Sequence, residues 1–139
     1  MKLISTYVEG IAQPKGSVSA FPISRGGKTS TVVVYPPKTR EWEALVAERV
    51  SESAEVEQID DACKLKVTFY MPRPKTSKRA TPSVRPDLDK LVRCIGDALE
   101  KSKVIRSDSR IVEITAKKVY ENARRKPGVM IVLERKETK

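Results

Sequence analysis

Two aspartates separated by one leucine are the residues of this chain best suited to metal chemistry. Asp87 and Asp89 follow Pro86 directly and stand where an apolar, helix-like pattern begins. Magnesium is commonly held by one or two carboxylates together with waters and a substrate phosphate. Water bound to such a cation is more acidic and can attack a phosphodiester in line. The pair is therefore a candidate site for metal-assisted hydrolysis of a phosphate ester.

The same aspartates also have a purely structural interpretation. Asp87 occupies the expected position of a helix N-cap. Asp89, Arg93 and Asp97 are spaced four residues apart, so they could form ion pairs worth about 0.3 kcal/mol each on a solvated helix face. The pattern alone favours this interpretation. A third carboxylate, Asp108, lies in the connection after the helix, and spacing does not show whether the fold returns it to the helix start.

Residue types limit the chemistry further. The chain contains no histidine, which removes the commonest general base and the commonest zinc ligand. Hydrolysis would therefore depend on carboxylates, a hard cation and water. Cys63 and Cys94 lie in apolar, periodic segments without a CxxC spacing, so we expect both to be buried free thiols.

The charge balance indicates a polyanionic partner. The formal net charge is +10, from 28 Lys and Arg against 18 Asp and Glu, and nucleic acid is the usual partner of such a surface. Residues 72–86 hold four prolines and five basic residues without an acid, which predicts a mobile surface loop. The basic residues are candidates for DNA phosphate contacts, although a solvated loop is the alternative: Arg73, Lys75, Lys78, Arg79 and Arg85.

Hydrophobic periodicity predicts one domain, residues 1–139, with an α/β or α+β fold around one mixed sheet. Strands are expected at residues 3–8, 21–24, 31–35, 65–71, 111–120 and 129–133. One helix is expected to start with Thr39 as its cap and Glu41 and Glu43 in its first turn. A second helix is expected from Asp87 to about Lys101. No apolar run approaches the roughly 20 residues of a membrane span, and the first residues do not suit a secretory signal, so we expect a cytoplasmic protein.

The sequence resembles the RusA family of Holliday-junction resolvases, specifically over residues 85–120 and more loosely through the rest of the chain. The resemblance is carried by Asp87-Leu88-Asp89, the basic Arg93, Asp97-Ala98-Leu99 and Asp108-Ser109-Arg110-Ile111-Val112. The family pattern is roughly PDLDN-L-x-K, then DAL, then a short turn with one or two aspartates before a strand. The resemblance implies a mixed sheet packed against two main helices. It also implies a homodimer that needs magnesium or manganese and makes paired symmetric nicks across a four-way junction.

The resemblance assigns roles and shows departures. Asp87, Asp89 and Asp108 match the metal-binding carboxylates, and Arg93 stands in place of a lysine important for catalysis. Guanidinium can stabilise developing charge but cannot easily lose a proton. Lys90 stands where asparagine is common, and Ser107 stands where some members have a second aspartate.

Three hypotheses follow. The first is a metal-dependent junction resolvase. The second is a non-catalytic basic nucleic-acid-binding module whose aspartates only cap and pair. The third is an inactive relative that binds junctions and gains cleavage only with Arg93→Lys.

Overall fold

The computed structural model describes residues 2–16, 19–55 and 57–136. Within these residues the chain forms six strands, two α-helices and a short 3-10 turn, Asp108–Arg110. The predicted α+β fold class is confirmed, and most of the elements extend somewhat beyond the predicted bounds. In chain order, the strands and α-helices are β1 (Lys2–Glu9), β2 (Ser19–Arg25), β3 (Lys28–Val34), α1 (Pro37–Ser53), β4 (Cys63–Met71), α2 (Leu88–Lys101), β5 (Ile111–Tyr120) and β6 (Gly128–Arg135).

The main sheet is mixed and has the order β1-β6-β4-β5. β6 pairs antiparallel with both β1 and β4, while β4 and β5 run parallel. Successive side chains of a strand point to opposite faces, and β4 accordingly buries every second residue: Cys63, Leu65, Val67, Phe69 and Met71. In this strand order β5 lies at one edge of the sheet. Because β5 runs parallel to β4, its start lies beside the start of β4.

The expectation of a single sheet was wrong. β2 and β3 pair with each other in a two-stranded sheet of their own. The hairpin turns at Gly26 and Gly27, which both have positive φ, 57° and 78°. Two such residues suit the tight turn that matches strand twist. The turn lets β2 and β3 pair with each other. The alternation of apolar and polar residues along a strand does not specify which sheet the hairpin joins.

The start of α1 also differs from its prediction. The helix begins at Pro37, with Pro36 at the N-cap position and no acidic residue in the first turn. Proline is favoured at the first helical position because its fixed φ suits the helix and its missing N–H would be unpaired there anyway. Thr39 is therefore inside the helix, where its hydroxyl donates a 3.1 Å hydrogen bond to the carbonyl of Pro14.

The predicted second helix is confirmed, with Asp87 at its N-cap position. Its apolar stripe faces the core, where five of its residues are buried: Leu91, Cys94, Ile95, Ala98 and Leu99. Both cysteines are free and buried, as expected. Burial raises the pKa of Cys94 to about 12, so its thiol is un-ionised and unreactive near neutral pH. No helix in the described part of the chain is long and apolar enough to cross a membrane.

Candidate functional site

Asp87 and Asp89 lie exposed at the start of α2. The backbone of Asp87 has N-cap geometry, but its side chain forms no capping hydrogen bond. In residues 2–16, 19–55 and 57–136, neither carboxylate belongs to an ion pair, and the ladder through Arg93 is not formed. The structural interpretation of these aspartates therefore loses its predicted contacts: both carboxylates are exposed, and among the described residues neither has an ion-pair partner.

A lysine from the sheet holds the backbone that leads into α2. The ammonium of Lys118, on β5, donates to the carbonyls of Val84 and Pro86, both at 2.9 Å. Lys118 is half-buried. The end of the basic loop is thereby tied to the sheet one residue before Asp87. Nothing in the sequence predicted this contact, because 32 residues separate Lys118 from Pro86.

A cavity of about 670 Å³ adjoins the start of α2. Its wall mixes apolar and polar surface and includes several prolines. Two of its apolar residues, Ile11 and Val84, expose 57% and 47% of their surface. Charged groups enter the wall on the side of α2. The lining consists of residues 11–14, Met71, Pro72, Pro74, Pro82, residues 84–87, Lys90 and Tyr120. The cavity thus joins the segment after β1, the basic loop and the first turn of α2.

Asp108 lies at the opposite end of α2. It begins the 3-10 turn, and its N–H donates to the carboxylate of Glu100 at 3.2 Å. The 14 residues of α2 span about 21 Å, and the 10 residues of β5, which separate Asp108 from the Lys118 end, span about 33 Å. One chain therefore does not bring Asp108 to Asp87 and Asp89. No group of three or more potential metal ligands occurs in the described residues.

The turn that carries Asp108 is fixed by ion pairs with the segment before β4. Asp60 contacts Arg110 at 2.8 Å and Arg106 at 3.4 Å. The hydrogen bond from Arg110 holds the pKa of Asp60 below its usual range. Ser107 is the N-cap of the turn, and its hydroxyl accepts from the N–H of Ser109. Ser107 thus has a local structural role in this chain.

The five basic residues of the loop are all exposed, so the predicted surface position is confirmed. Arg73 stacks on the ring of Tyr120 at 4.2 Å and donates to the carbonyl of Arg79 at 3.1 Å. Arg79 in turn donates to the hydroxyl of Ser83. These contacts organise the loop, and within the described residues none of its five basic side chains pairs with an acid. Arg93 is exposed on α2 and lies outside the cavity wall.

A buried charge cluster escaped the sequence analysis. The ammonium of Lys15 lies 2.9 Å from Glu43 and 3.0 Å from Asp97. Burial by itself would lower the pKa of Lys15, but its hydrogen bonds to both carboxylates outweigh burial and raise it. Asp97 therefore belongs to this cluster. The one available signal was Glu43, which is spaced three and seven residues from Val46 and Val50 on the buried face of α1.

This basic α+β protein, in which exposed carboxylates lie near a cationic loop, is similar to known proteins. The family model described as Endodeoxyribonuclease RusA matches residues 14–134. A crossover junction endodeoxyribonuclease RusA from Aquifex aeolicus (strain VF5) is 30% identical over 132 residues, which are 94% of this chain and 90% of that protein. The chain belongs to the RusA family of endodeoxyribonucleases, which confirms the resemblance first drawn from residues 85–120.

Proposed function

We propose that this protein is a structure-selective endodeoxyribonuclease that resolves Holliday junctions by paired symmetric nicks in a magnesium-dependent reaction, with manganese as an alternative cation. One observation carries the proposal: the carboxylates of Asp87 and Asp89 are exposed at the start of α2, and in the part of the chain that the structure describes neither forms an ion pair. Family membership supports the nuclease activity, and the name of the Aquifex relative supports a junction as substrate.

The donor set at the start of α2 fits a hard cation. Asp87 and Asp89 offer exposed oxygen donors, and magnesium needs only one or two carboxylates when waters and phosphate supply the other ligands. Such a cation, when bound, makes its water more acidic and offsets charge on the phosphate. Other residues of the chain position the carboxylates and bind the DNA. Lys118 fixes the backbone before Asp87, and the basic loop holds the neighbouring phosphates of the DNA.

Asp108 takes part in this proposal through a second copy of the chain. β5 is an edge strand of the main sheet, and its Val112 and Ile114 are 59% and 50% exposed. An edge strand with apolar exposed side chains readily pairs with another strand. Antiparallel pairing of two β5 strands about a two-fold axis would bring the start of one strand to the end of the other. Asp108 of the partner subunit would then lie near Asp87 and Asp89.

A two-fold dimer also suits the substrate. Isologous dimers are the commonest assembly of soluble proteins, and each would carry two equivalent sites for two symmetric nicks. A four-way junction offers two strands related by a similar symmetry. The proposed dimer would therefore account for paired cutting and for the distance between Asp108 and the pair Asp87 and Asp89 within one chain.

The decisive experiment compares cleavage with binding on a synthetic four-way junction in the presence of magnesium. Asp89→Asn should lose more than the roughly 100-fold in activity that loss of a supporting residue around a metal typically costs, while junction affinity is retained. Asp61→Asn is the matched control, because Asp61 is an exposed aspartate on another surface, paired with Arg135.

Three outcomes separate the hypotheses. Equal cleavage by Asp89→Asn and the parent would overturn the carboxylate site. Salt-sensitive binding of junction and duplex alike, without cutting at any magnesium or manganese concentration, would identify a non-catalytic binding module. Selective junction binding by an inert parent, followed by cleavage with Arg93→Lys, would identify an inactive relative.

A further inference from the structure

We propose that Lys90 is a further catalytic residue, whose ammonium contacts the phosphate attacked at Asp87 and Asp89. This inference rests on the proposed function and adds a residue to the same site. Lys90 lies in the first turn of α2, one position after Asp89. Two features of the fold make its side chain suitable: a stem held in place by another segment, and a position in the cavity wall beside Asp87.

Gly16 fixes the stem of Lys90. A Cβ built on Gly16 would lie 2.9 Å from Cδ, 3.1 Å from Cε and 3.3 Å from Cγ of Lys90. The glycine backbone is therefore packed against the aliphatic stem of Lys90, and a side chain at position 16 would require this stem to shift. The N–H of Lys15 also donates to the carbonyl of Lys90 at 3.0 Å. The segment after β1 thus restrains both the backbone and the stem of this lysine.

The ammonium of Lys90 is available to a ligand. Lys90 and Asp87 line the same cavity, and in the described residues Lys90 has no carboxylate within 4.0 Å, whereas Lys15 has two. Restraint of a long side chain costs conformational entropy. Among the described residues, Lys90 is thus a restrained cation without an acid partner that shares the cavity wall with the exposed Asp87. This arrangement suits an anionic ligand that a metal ion would share.

Lys90 also differs from Arg93 in position. Arg93 is exposed and does not line the cavity, whereas Lys90 is half-buried and does. An ammonium is a compact point charge, and a fixed cation near a phosphate stabilises the charge that develops on its oxygens in the transition state. In this role Lys90 acts through its charge alone, so Arg93 need not replace a proton donor.

Single-turnover cleavage of a four-way junction at saturating protein tests this role. Lys90→Met keeps the stem that packs on Gly16 but removes the charge. It should lower the cleavage rate about 100-fold, the loss typical of one transition-state donor, with junction affinity changed less than about 3-fold. Lys90→Arg should recover part of the rate, since it restores charge without the compact shape. Lys90→Gln serves as the neutral variant if Lys90→Met does not fold.

Arg49→Met is the matched control, because it removes a positive charge from an exposed position on α1. A parent protein that cuts junctions, with Lys90→Met cutting at the same rate, would overturn the role of Lys90 and leave the proposed function intact. A loss of affinity with an unchanged single-turnover rate would also overturn it, since it would make Lys90 a DNA-binding residue only. A parent that cuts no junction would overturn the proposed function itself.

Gly16 gives an independent test through a double-mutant cycle. The added methyl group of Gly16→Ala would displace the flexible end of Lys90 and should lower the cleavage rate about 10-fold. The same change made in Lys90→Ala should have no further effect, because the side chain that it displaces is absent. Equal losses from Gly16→Ala in both backgrounds would show that Gly16 acts on something other than Lys90.

Discussion

Lys15 shows how one residue outside the candidate site supports its geometry. Its side chain is 11% exposed and joins Glu43 of α1 to Asp97 of α2, and its N–H holds the backbone of Lys90. Asp97 belongs to the Asp97-Ala98-Leu99 motif that carried the family resemblance. The structure therefore gives that motif a packing role, which fixes α2 against α1 and against the segment that forms one wall of the cavity.

Removal of the Lys15 charge should destabilise the whole fold. Lys15→Met leaves Glu43 buried without its cation, and a broken buried pair costs about 3 kcal/mol. We expect a lower urea midpoint with an unchanged slope. Arg49→Met is the control, because its ion pairs are at the surface and should contribute less than about 1 kcal/mol. Equal midpoints for the two variants would contradict the structural role of Lys15.

At the scale of elements, the candidate site depends on where β5, the basic loop and α2 meet. The parallel pairing of β4 and β5 carries Lys118 to the same end of the sheet as the loop that follows Met71. There Lys118 donates to Val84 and Pro86, while Arg73 stacks on Tyr120. Two side chains of β5, those of Lys118 and Tyr120, thus define the path of a proline-rich loop that contains no regular structure of its own.

Lys118→Met should loosen the contact between β5 and the end of the basic loop without unfolding the protein. The carbonyls of Val84 and Pro86 would lose a shared donor, so Asp87 would be held less firmly at the start of α2. We expect cleavage to fall about 10-fold, in line with the sensitivity of catalysis to small displacements, and backbone amides of residues 87–91 to exchange faster. Lys66→Met, on the neighbouring strand β4, is the control. Unchanged exchange rates in Lys118→Met would show that the loop does not need this lysine.

At the scale of the whole molecule, the exposed apolar residues and the separated aspartates lead to one arrangement. Among the described residues, four large hydrophobic side chains are exposed: Ile11, Val84, Val112 and Ile114. Two line the cavity beside Asp87, and two lie on the β5 edge. The first pair adjoins the proposed DNA site, and the second lies on the proposed dimer edge. A site shared by two chains would make cleavage dependent on assembly.

Subunit mixing tests the shared site. Asp89→Asn and Asp108→Asn should each be inactive alone. After exchange of subunits, a mixed dimer would carry one intact site, built from Asp87 and Asp89 of one chain and Asp108 of the other. Mixing should therefore restore nicking of the junction, with single nicks in place of paired ones. Ile114→Lys, which places a charge on the β5 edge, should prevent both dimer formation and this restoration. A mixture as inactive as its components would contradict the shared site.

The amino-acid sequence by itself determined the local structure and the family of this protein. Alternation of apolar residues predicted β4, and spacing of three and four residues predicted the buried stripe of α2, because these patterns repeat within one element. The motif around Asp87 and Asp89 is also local, and it was enough to suggest a family that the comparison then confirmed.

Tertiary structure decided how distant residues meet. It placed the β2–β3 hairpin outside the main sheet, joined Lys15 to Asp97, and set Asp108 at the far end of α2. Sequence spacing could not show these placements, since they depend on strand order and direction, which no residue pattern within a single element records.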